Sequence, residues 1–497
     1  MPDNQTFAAF QDAFGQPPAV VARVPGRINL MGRHVDHQGG NLNLLTIDRH
    51  LVVAANRSGT NRFRLRSDDP ARYQDFEFRL SDIPFEPQKN WKQQVTGPRL
   101  AAWREEIPLW ARYPVGAVLR LWHELGDKVP AMELMVHGNL PPAAGLSSSS
   151  ALTLGSVLCA NEIHGWRMSR DRIIEVTGEA EWLTGLIGGA CAPAAMMTGS
   201  PGRLVQVGFF PFQITGNFPF PGNLRIVLAN SHDPAVKGLD ARNEYNWRVA
   251  TYRLALVLLR IGRPKWFGPV QHLRDVRPEL LGASKSEIYR AMKELPIRIT
   301  RAELETRHPE QAEDMEPVMV GHTEPDGGYP VRDILMYGLA EMARSLHLGE
   351  LLEAGDILQV GNWIGRSHDG DRVSSISNGT RTAWRPPALT DSYLEELATR
   401  AEQGDPQADF THQCGSYAAS TLHVDEMVDL CSDVDGCIGA QIIGAGFGGS
   451  MIALVREDAA DRVVERLKTA YYEPYNLQPD AWTLVPGRRA EVRAVYS

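Results

Sequence analysis

Three stretches of this chain hold groups that could do chemistry. In Gly26-Arg27-Ile28-Asn29-Leu30-Met31-Gly32-Arg33-His34-Val35-Asp36-His37-Gln38-Gly39-Gly40, two arginines, two histidines and a carboxylate stand among glycines, directly after the largely apolar run Ala19 to Val24. That is the pattern of a strand delivering polar groups into a pocket. A guanidinium bonds phosphate or carboxylate oxygens, and a carboxylate accepts from hydroxyls. In Gly138 to Ala151, the run Pro141-Pro142-Ala143-Ala144-Gly145-Leu146 leads into Ser147, Ser148, Ser149 and Ser150. Free backbone N–H groups at a helix start, with small residues that let a ligand approach, make an anion site, and a serine hydroxyl can reach a divalent cation. An ordinary serine-capped helix would use the same residue type. Four serines after Pro-Pro-x-x-Gly-Leu favour the anion site, and the missing lysine excludes a Walker-type phosphate loop. The third stretch, Gly444-Ala445-Gly446-Phe447-Gly448-Gly449-Ser450, can turn tightly and let another backbone come close.

The elements that must position these groups are of both kinds. Leu51 to Ala55, Met132 to Val136 and Leu224 to Ala229 read as strands, and Leu152 to Cys159 as an apolar helix-like stretch. Leu389 to Pro406 reads as a helix, capped by Thr390 or Asp391 and stopped by Gly404 and Pro406. The C-terminal part reads strand (Met451 to Val455), helix (Ala459 to Tyr471), strand (Trp482 to Val485). The class is therefore α+β, a mixed α/β chain. Three prolines and two glycines in Phe209 to Asn223 predict a break in regular structure and a join between domains, 1–222 and 223–497.

With 497 residues, 43% apolar and 22% charged, the chain has the make-up of a globular protein of two domains. A net charge of −9 argues against a general nucleic-acid or anionic-membrane binder. No apolar run approaches the roughly 20 residues that span a bilayer, and Met1 to Gln11 lacks the pattern of a secretory signal. Five cysteines, without zinc-type pairing, read as reduced structural thiols, with the cytoplasm as the expected compartment.

The first stretch resembles the galactokinase signature GRxNLxGxHxDxxGG. The second resembles the GHMP kinase phosphate motif PxxxGLSSS, and the third that superfamily's GAGxGG loop. In this order and at this separation, they identify the chain as a member of the GHMP kinase superfamily, similar to the galactokinase-like sugar 1-kinases. The resemblance implies an N-terminal ribosomal-protein-S5-like domain and a C-terminal ferredoxin-like α+β domain. It also implies ATP and Mg²⁺ as cofactors, a monosaccharide phosphorylated at its anomeric hydroxyl, and no nucleic-acid, membrane or obligate protein partner. Arg27 then matches the catalytic arginine; His34, Asp36, His37, Gly189 and Tyr245 match sugar-binding positions. Pro142, Gly145, Leu146, Ser147 to Ser150 and Gly446 match ATP-binding ones. Trp110 and Tyr113 lie in a segment similar to the adenine side of the site, with a hydrophobic helix end as the plain alternative. Ser149 and Glu181 fall at the Mg²⁺ positions.

Two residues depart from the family. Ala192 stands where the catalytic aspartate is expected. The chain is then an inactivated variant, a kinase that relies on Arg27, Mg²⁺ and positioning, or a catalytically inactive sugar and ATP sensor. Arg33 stands where galactokinases carry glutamate. A guanidinium cannot accept from a sugar hydroxyl but matches a carboxylate or phosphate. The expectation is a uronic acid or another anionic sugar as substrate, unless Arg33 turns away to pair with an acid of the protein.

Overall fold

The structure is a computed structural model that describes residues 4–126, 129–141, 144–185, 189–233, 239–266, 268, 270–319, 321–377 and 379–495. Neither of its two compact units is continuous in sequence. The first holds 1–28, 44–205 and 485–497, and the second holds 29–43 and 206–484. The expected break after Gly222 falls inside the second unit, and the chain returns to the first at Val485. That return has a physical cause: the last strand, Glu491–Ala494, pairs antiparallel with the first, Val20–Met31, in the register Val20 to Ala494 and Arg23 to Glu491.

In the first unit the strands run in the order Glu491–Ala494, Val20–Met31, Leu42–Arg57, Met132–Gly138, Phe63–Ser67, Phe76–Phe78. The helix Ser148–His164 lies against this sheet, buried from Ser150 to Ala160. Gly155 makes that approach possible, since a Cβ there would sit 2.5 Å from Val53 Cγ2. Helices Arg112–Leu125, Arg170–Ala180 and Cys191–Thr198 complete the layer.

The second unit has a four-stranded antiparallel sheet, in the order Cys437–Ile442, Ser450–Arg456, Leu224–Asn230, Ala481–Leu484. Helices Leu422–Ser432 and Ala460–Leu467 cover it around a core that includes Val227, Met427, Ile442 and Val463. A second core gathers the long helices Leu239–Gly262 and Val331–Ala354 with Lys285–Lys293 and Asp391–Glu402, and it takes in Val35. The Pro/Gly-rich run around 209–223 is not wholly irregular. Its prolines, at 211, 219 and 221, leave room for the strand Gln213–Pro219, which pairs with Arg203–Gly208. Thr390 caps its helix as expected, accepting from the Tyr393 amide at 3.2 Å. All five cysteines are free thiols. Among the described residues, no helix is long and apolar enough to cross a membrane.

Candidate functional site

The serine stretch and Arg27 form one constellation inside the first unit. Ser147 precedes the helix in a left-handed conformation (φ 57°), and its side chain caps nothing. The serine-capped helix is thereby set aside: the first amides of a long helix receive no oxygen from the Ser147 side chain, and this is where an anion is stabilised. The preceding loop lies along the first strand, with the Arg27 amide donating to the Leu146 carbonyl at 3.1 Å. Gly26 permits this closeness, because a Cβ there would meet Leu140 Cδ1 at 2.5 Å. The Arg27 side chain donates from Nη1 to the Gly145 carbonyl at 3.2 Å, and its buried Nε has no acceptor among the described residues.

Glu181, at the end of the helix Arg170–Ala180, joins the group. Lost hydration pushes its carboxyl up to about 7, against the hydrogen bond from Ser150 and the charge of Arg27. Burial and the Glu181 charge raise the Tyr113 hydroxyl, which shares a hydrogen bond with Ser149. The expected metal positions Ser149 and Glu181 therefore meet around Tyr113. Hydroxyl and carboxylate oxygens, with phosphate, are the donor set that a hard divalent cation takes, so these residues fit Mg²⁺. Trp110 faces elsewhere, its indole N–H donating to the Gln74 carbonyl at 2.8 Å and its ring edge-on to Tyr73. Ala192 is a buried methyl, 4% exposed, in the first turn of Cys191–Thr198. Gly189 lies in the exposed turn before that helix. Pro142 lies outside the described residues.

The sugar stretch belongs to the second unit from Asn29 onward, held by backbone bonds. The amides of Gly32 and Arg33 both donate to Glu341 Oε1, at 2.7 and 3.2 Å, and Glu341 is itself paired with buried Arg344. Gly32 is required as glycine: at φ 101°, a Cβ would lie 2.0 Å from the Asn41 carbonyl oxygen.

Arg33 takes the second of its two expected courses, pairing with an acid of the protein. It is 2% exposed. Its Nε and Nη2 donate to Asp371 Oδ2 at 3.1 and 2.9 Å, Nη2 also donates to Ser367 Oγ at 3.0 Å, and Nη1 donates to Gln441 Oε1. All three nitrogens of the fork donate within the protein, and a charge this deeply buried needs that pairing. Burial opposes both charges; the attraction of Asp371 raises Arg33, and His34 with Arg33 holds the Asp371 carboxyl far below its usual range. His34 shares this network rather than an open pocket. Its Nε2 lies 3.4 Å from Asp371 Oδ1, and its ring stacks on Tyr417 at 4.2 Å.

Asp36, His37 and Tyr245 are the sugar-position residues that stay partly open and come together. His37 Nδ1 is 3.3 Å from Asp36 Oδ1, and the His37 ring lies 6.0 Å from that of Tyr245. Burial works against the Asp36 charge, yet the hydrogen bond and charge of His37 hold it below the ordinary value. Burial and Asp36 raise the Tyr245 hydroxyl. Gly446 is also explained by close packing. A Cβ there would lie 2.4 Å from the Ala419 carbonyl oxygen, while Gly444 and Ala445 are the exposed members of the loop. Arg248 fixes that loop: it donates to the Tyr417 and Ala418 carbonyls and lies 4.9 Å over the Phe447 ring. Asp371, Ser367 and Gln441 were missed, since nothing local marks residues more than 300 positions away as partners of Arg33.

Three family models match the chain in order. The galactokinase galactose-binding signature covers residues 8–57, the GHMP kinases N-terminal domain 112–199, and the GHMP kinases C-terminal model 390–473. A galactokinase of Chloroflexus aurantiacus is 26% identical over 468 residues, 94% of this chain and 91% of its own. One of Dictyostelium discoideum is 22% identical over 486 residues, 95% of this chain and 87% of its own. Among solved structures, the Lactococcus lactis galactokinase complexed with galactose matches at TM-score 0.67 and 18% identity, covering 98% of this chain and 99% of that one. With the serine helix and its uncapped start, these matches make the chain a member of the GHMP kinase superfamily. Within that superfamily, the signature over 8–57 makes it a galactokinase-like kinase.

Proposed function

We propose that this chain is an ATP-dependent kinase that transfers the γ-phosphate to the anomeric hydroxyl of a neutral monosaccharide. The observation that carries the reading is the uncapped start of Ser148–His164, with Arg27 bonded to the loop that precedes it and Glu181 beside Ser150. Phosphoryl transfer asks little covalent chemistry of the protein; it needs in-line positioning and charge to meet charge. The helix amides and serine hydroxyls bind the phosphates of ATP, and the free Nε of Arg27 adds a charge-assisted donor. Ser149 and Glu181 would hold Mg²⁺, which supplies positive charge between the phosphate oxygens. Asp36, kept ionised by His37, accepts from sugar hydroxyls, and Tyr245 closes on the same side. With all three nitrogens of Arg33 engaged by the protein, the ground for an anionic sugar falls away. Five free thiols support a reducing compartment, and we place the protein in the cytoplasm.

One observation favours a second reading. Ala192 offers no carboxylate to orient or deprotonate the acceptor hydroxyl, as a sugar and ATP sensor would not need to. The test is sugar-dependent ADP release with Mg·ATP across neutral hexoses, uronates and sugar phosphates, for the chain and Ala192→Asp side by side. Turnover of a neutral hexose by the chain as written is expected. Turnover by the aspartate variant alone would make the chain an inactivated kinase, and silence from both with sugar still bound would make it a sensor. Selective turnover of uronates would refute the neutral substrate.

A further inference from the structure

The last carbonyls of a helix have no N–H of their own helix to accept from. At the end of Ile357–Asp371 a short segment supplies the donors. The Tyr417 and Ala418 amides donate to the Gly370 carbonyl at 2.7 and 3.0 Å, and the Ser420 amide to that of Asp371 at 2.8 Å. The same segment meets the third glycine stretch, where the Phe447 amide donates to the Ala419 carbonyl at 2.7 Å. Arg248 joins the two, since it donates to the Tyr417 carbonyl at 2.6 Å and the Ala418 carbonyl at 2.9 Å while its guanidinium lies over the Phe447 ring. His34, Ala418 and Phe447 are non-glycine residues in the left-handed region, at φ 60°, 53° and 61°. Such backbone persists only where its surroundings over-determine it, and it gathers at functional sites.

The Tyr417 side chain turns to the sugar stretch. It is fully buried, and its ring stacks on that of His34 at 4.2 Å and 11°. Tyr252 makes a second connection, its ring 5.9 Å from that of Tyr417 and 5.7 Å from that of His37. Burial first, then Tyr245 and, less strongly, Asp371 and Asp36, raise the Tyr417 hydroxyl against the charge of Arg248, which sets it among the groups of the sugar position. That hydroxyl has no hydrogen-bond partner among the described residues, so the ring carries the contact. Every residue named here belongs to the second unit.

We propose that the segment 417–420 links the sugar position to the loop 444–449, and that Tyr417 is its positioning residue, acting through His34 on one side and through the Ala419 carbonyl on the other. A sugar held at Asp36 then steadies the glycine loop, and the loop in turn favours the sugar, as two sites that bias one arrangement must. The inference rests on the sugar reading proposed above. Its plain alternative is a tyrosine that only fills the core around it, with sugar and loop independent of each other.

The test follows hydrogen exchange over 32–40 and 444–450 in the full chain, without nucleotide, at saturating D-galactose or D-glucose. At least one sugar is expected to slow exchange in both segments. Tyr417→Phe keeps the ring and should preserve both effects, since only an unpartnered hydroxyl is lost. Tyr417→Leu removes the ring; it should weaken sugar binding roughly fivefold by titration calorimetry and abolish the slowing over 444–450. If the leucine variant does not fold, Phe447→Ala carries the comparison on a half-buried loop residue, and it should weaken sugar binding by roughly the same factor. Slowing over 32–40 with none at 444–450 in the wild type would overturn the link. So would slowing at 444–450 that survives Tyr417→Leu, or sugar binding untouched by Phe447→Ala. Equal losses in Tyr417→Phe and Tyr417→Leu would overturn the role of the ring. If neither sugar slows either segment, the proposed sugar site itself fails and the link with it.

Discussion

Arg33→Glu restores the residue that the galactokinase signature carries, and the structure expects it to damage the protein rather than repair it. Arg33 is the counter-charge of Asp371, which is fully buried, and it also donates to Ser367 and Gln441. Removing one partner of such a buried pair costs about 3–5 kcal/mol, because the other charge stays behind without compensation. A glutamate adds a second carboxylate facing the first, so the loss should reach at least the middle of that range. At roughly 2 °C per kcal/mol for a large unit, the melting temperature should fall by about 8 °C or more. Arg33→Met combined with Asp371→Asn should recover much of the loss, since the amide needs no counter-charge and can still accept from Tyr337, now 3.1 Å from Asp371 Oδ2. The sign with pH follows from the depressed Asp371 carboxyl. The stabilisation is complete above the unfolded value of about 4 and is lost as pH falls below it, so the gap between wild type and the double variant should narrow in acid. Scanning calorimetry on the three proteins at pH 7 and at pH about 2.5, inside that window, provides the measurement. A melting temperature for Arg33→Glu within about 2 °C of wild type, with a changed sugar preference, would show that Arg33 faces the substrate and that the network is wrong.

Three further outcomes are expected. Gly155→Ala places a methyl 2.5 Å from Val53 Cγ2; the overpacking outweighs the helix propensity gained, and denaturant unfolding should show a loss of about 1–2 kcal/mol. Ser147→Gly relieves a left-handed backbone and removes no cap, so stability should hold or rise by up to about 1 kcal/mol; a loss of that size would restore the capping role. Hydrogen bonds from Arg172, then Arg120, hold the Glu124 carboxyl down at about 2 against an ordinary 4.5. Glu124→Gln should therefore cost about 1 kcal/mol at pH 7, and titrated melting should show the difference shrinking as pH falls from 4.5 towards 2.

What the sequence made legible was local. The strand before Arg27, the serine helix, the Thr390 cap and the order of the three glycine-rich stretches all follow from neighbours in the chain, and each stands where its pattern put it. The meeting of Asp36 with His37 is local, since the two share one turn, whereas Tyr245 reaches His37 only through the fold. The discontinuous units were not legible, since the pairing of Glu491–Ala494 with Val20–Met31 joins the two ends of the chain and no local signal encodes it. The partner of Arg33 was hidden for the same reason. Its chemistry was read correctly as a fork for carboxylate, but the carboxylate is Asp371, supplied by the fold rather than by a substrate.

Arg33 and Ala192 consequently mean different things. A buried arginine met by Asp371, Ser367 and Gln441 from two separate elements is part of a matched network, and a lone replacement in a site built for glutamate would leave those acceptors facing a mismatch. Ala192 has no such counterpart: it is a buried methyl at a packed helix start. What stands in the same unit is Arg27, with a donor still unspent beside the helix amides. A positive group whose Nε has no acceptor among the described residues is suited to an incoming phosphate, and phosphoryl transfer draws most of its acceleration from such placed charge. On the proposed reading, the first unit keeps its groups for the donor phosphate, and the acceptor hydroxyl is where a missing carboxylate would be felt.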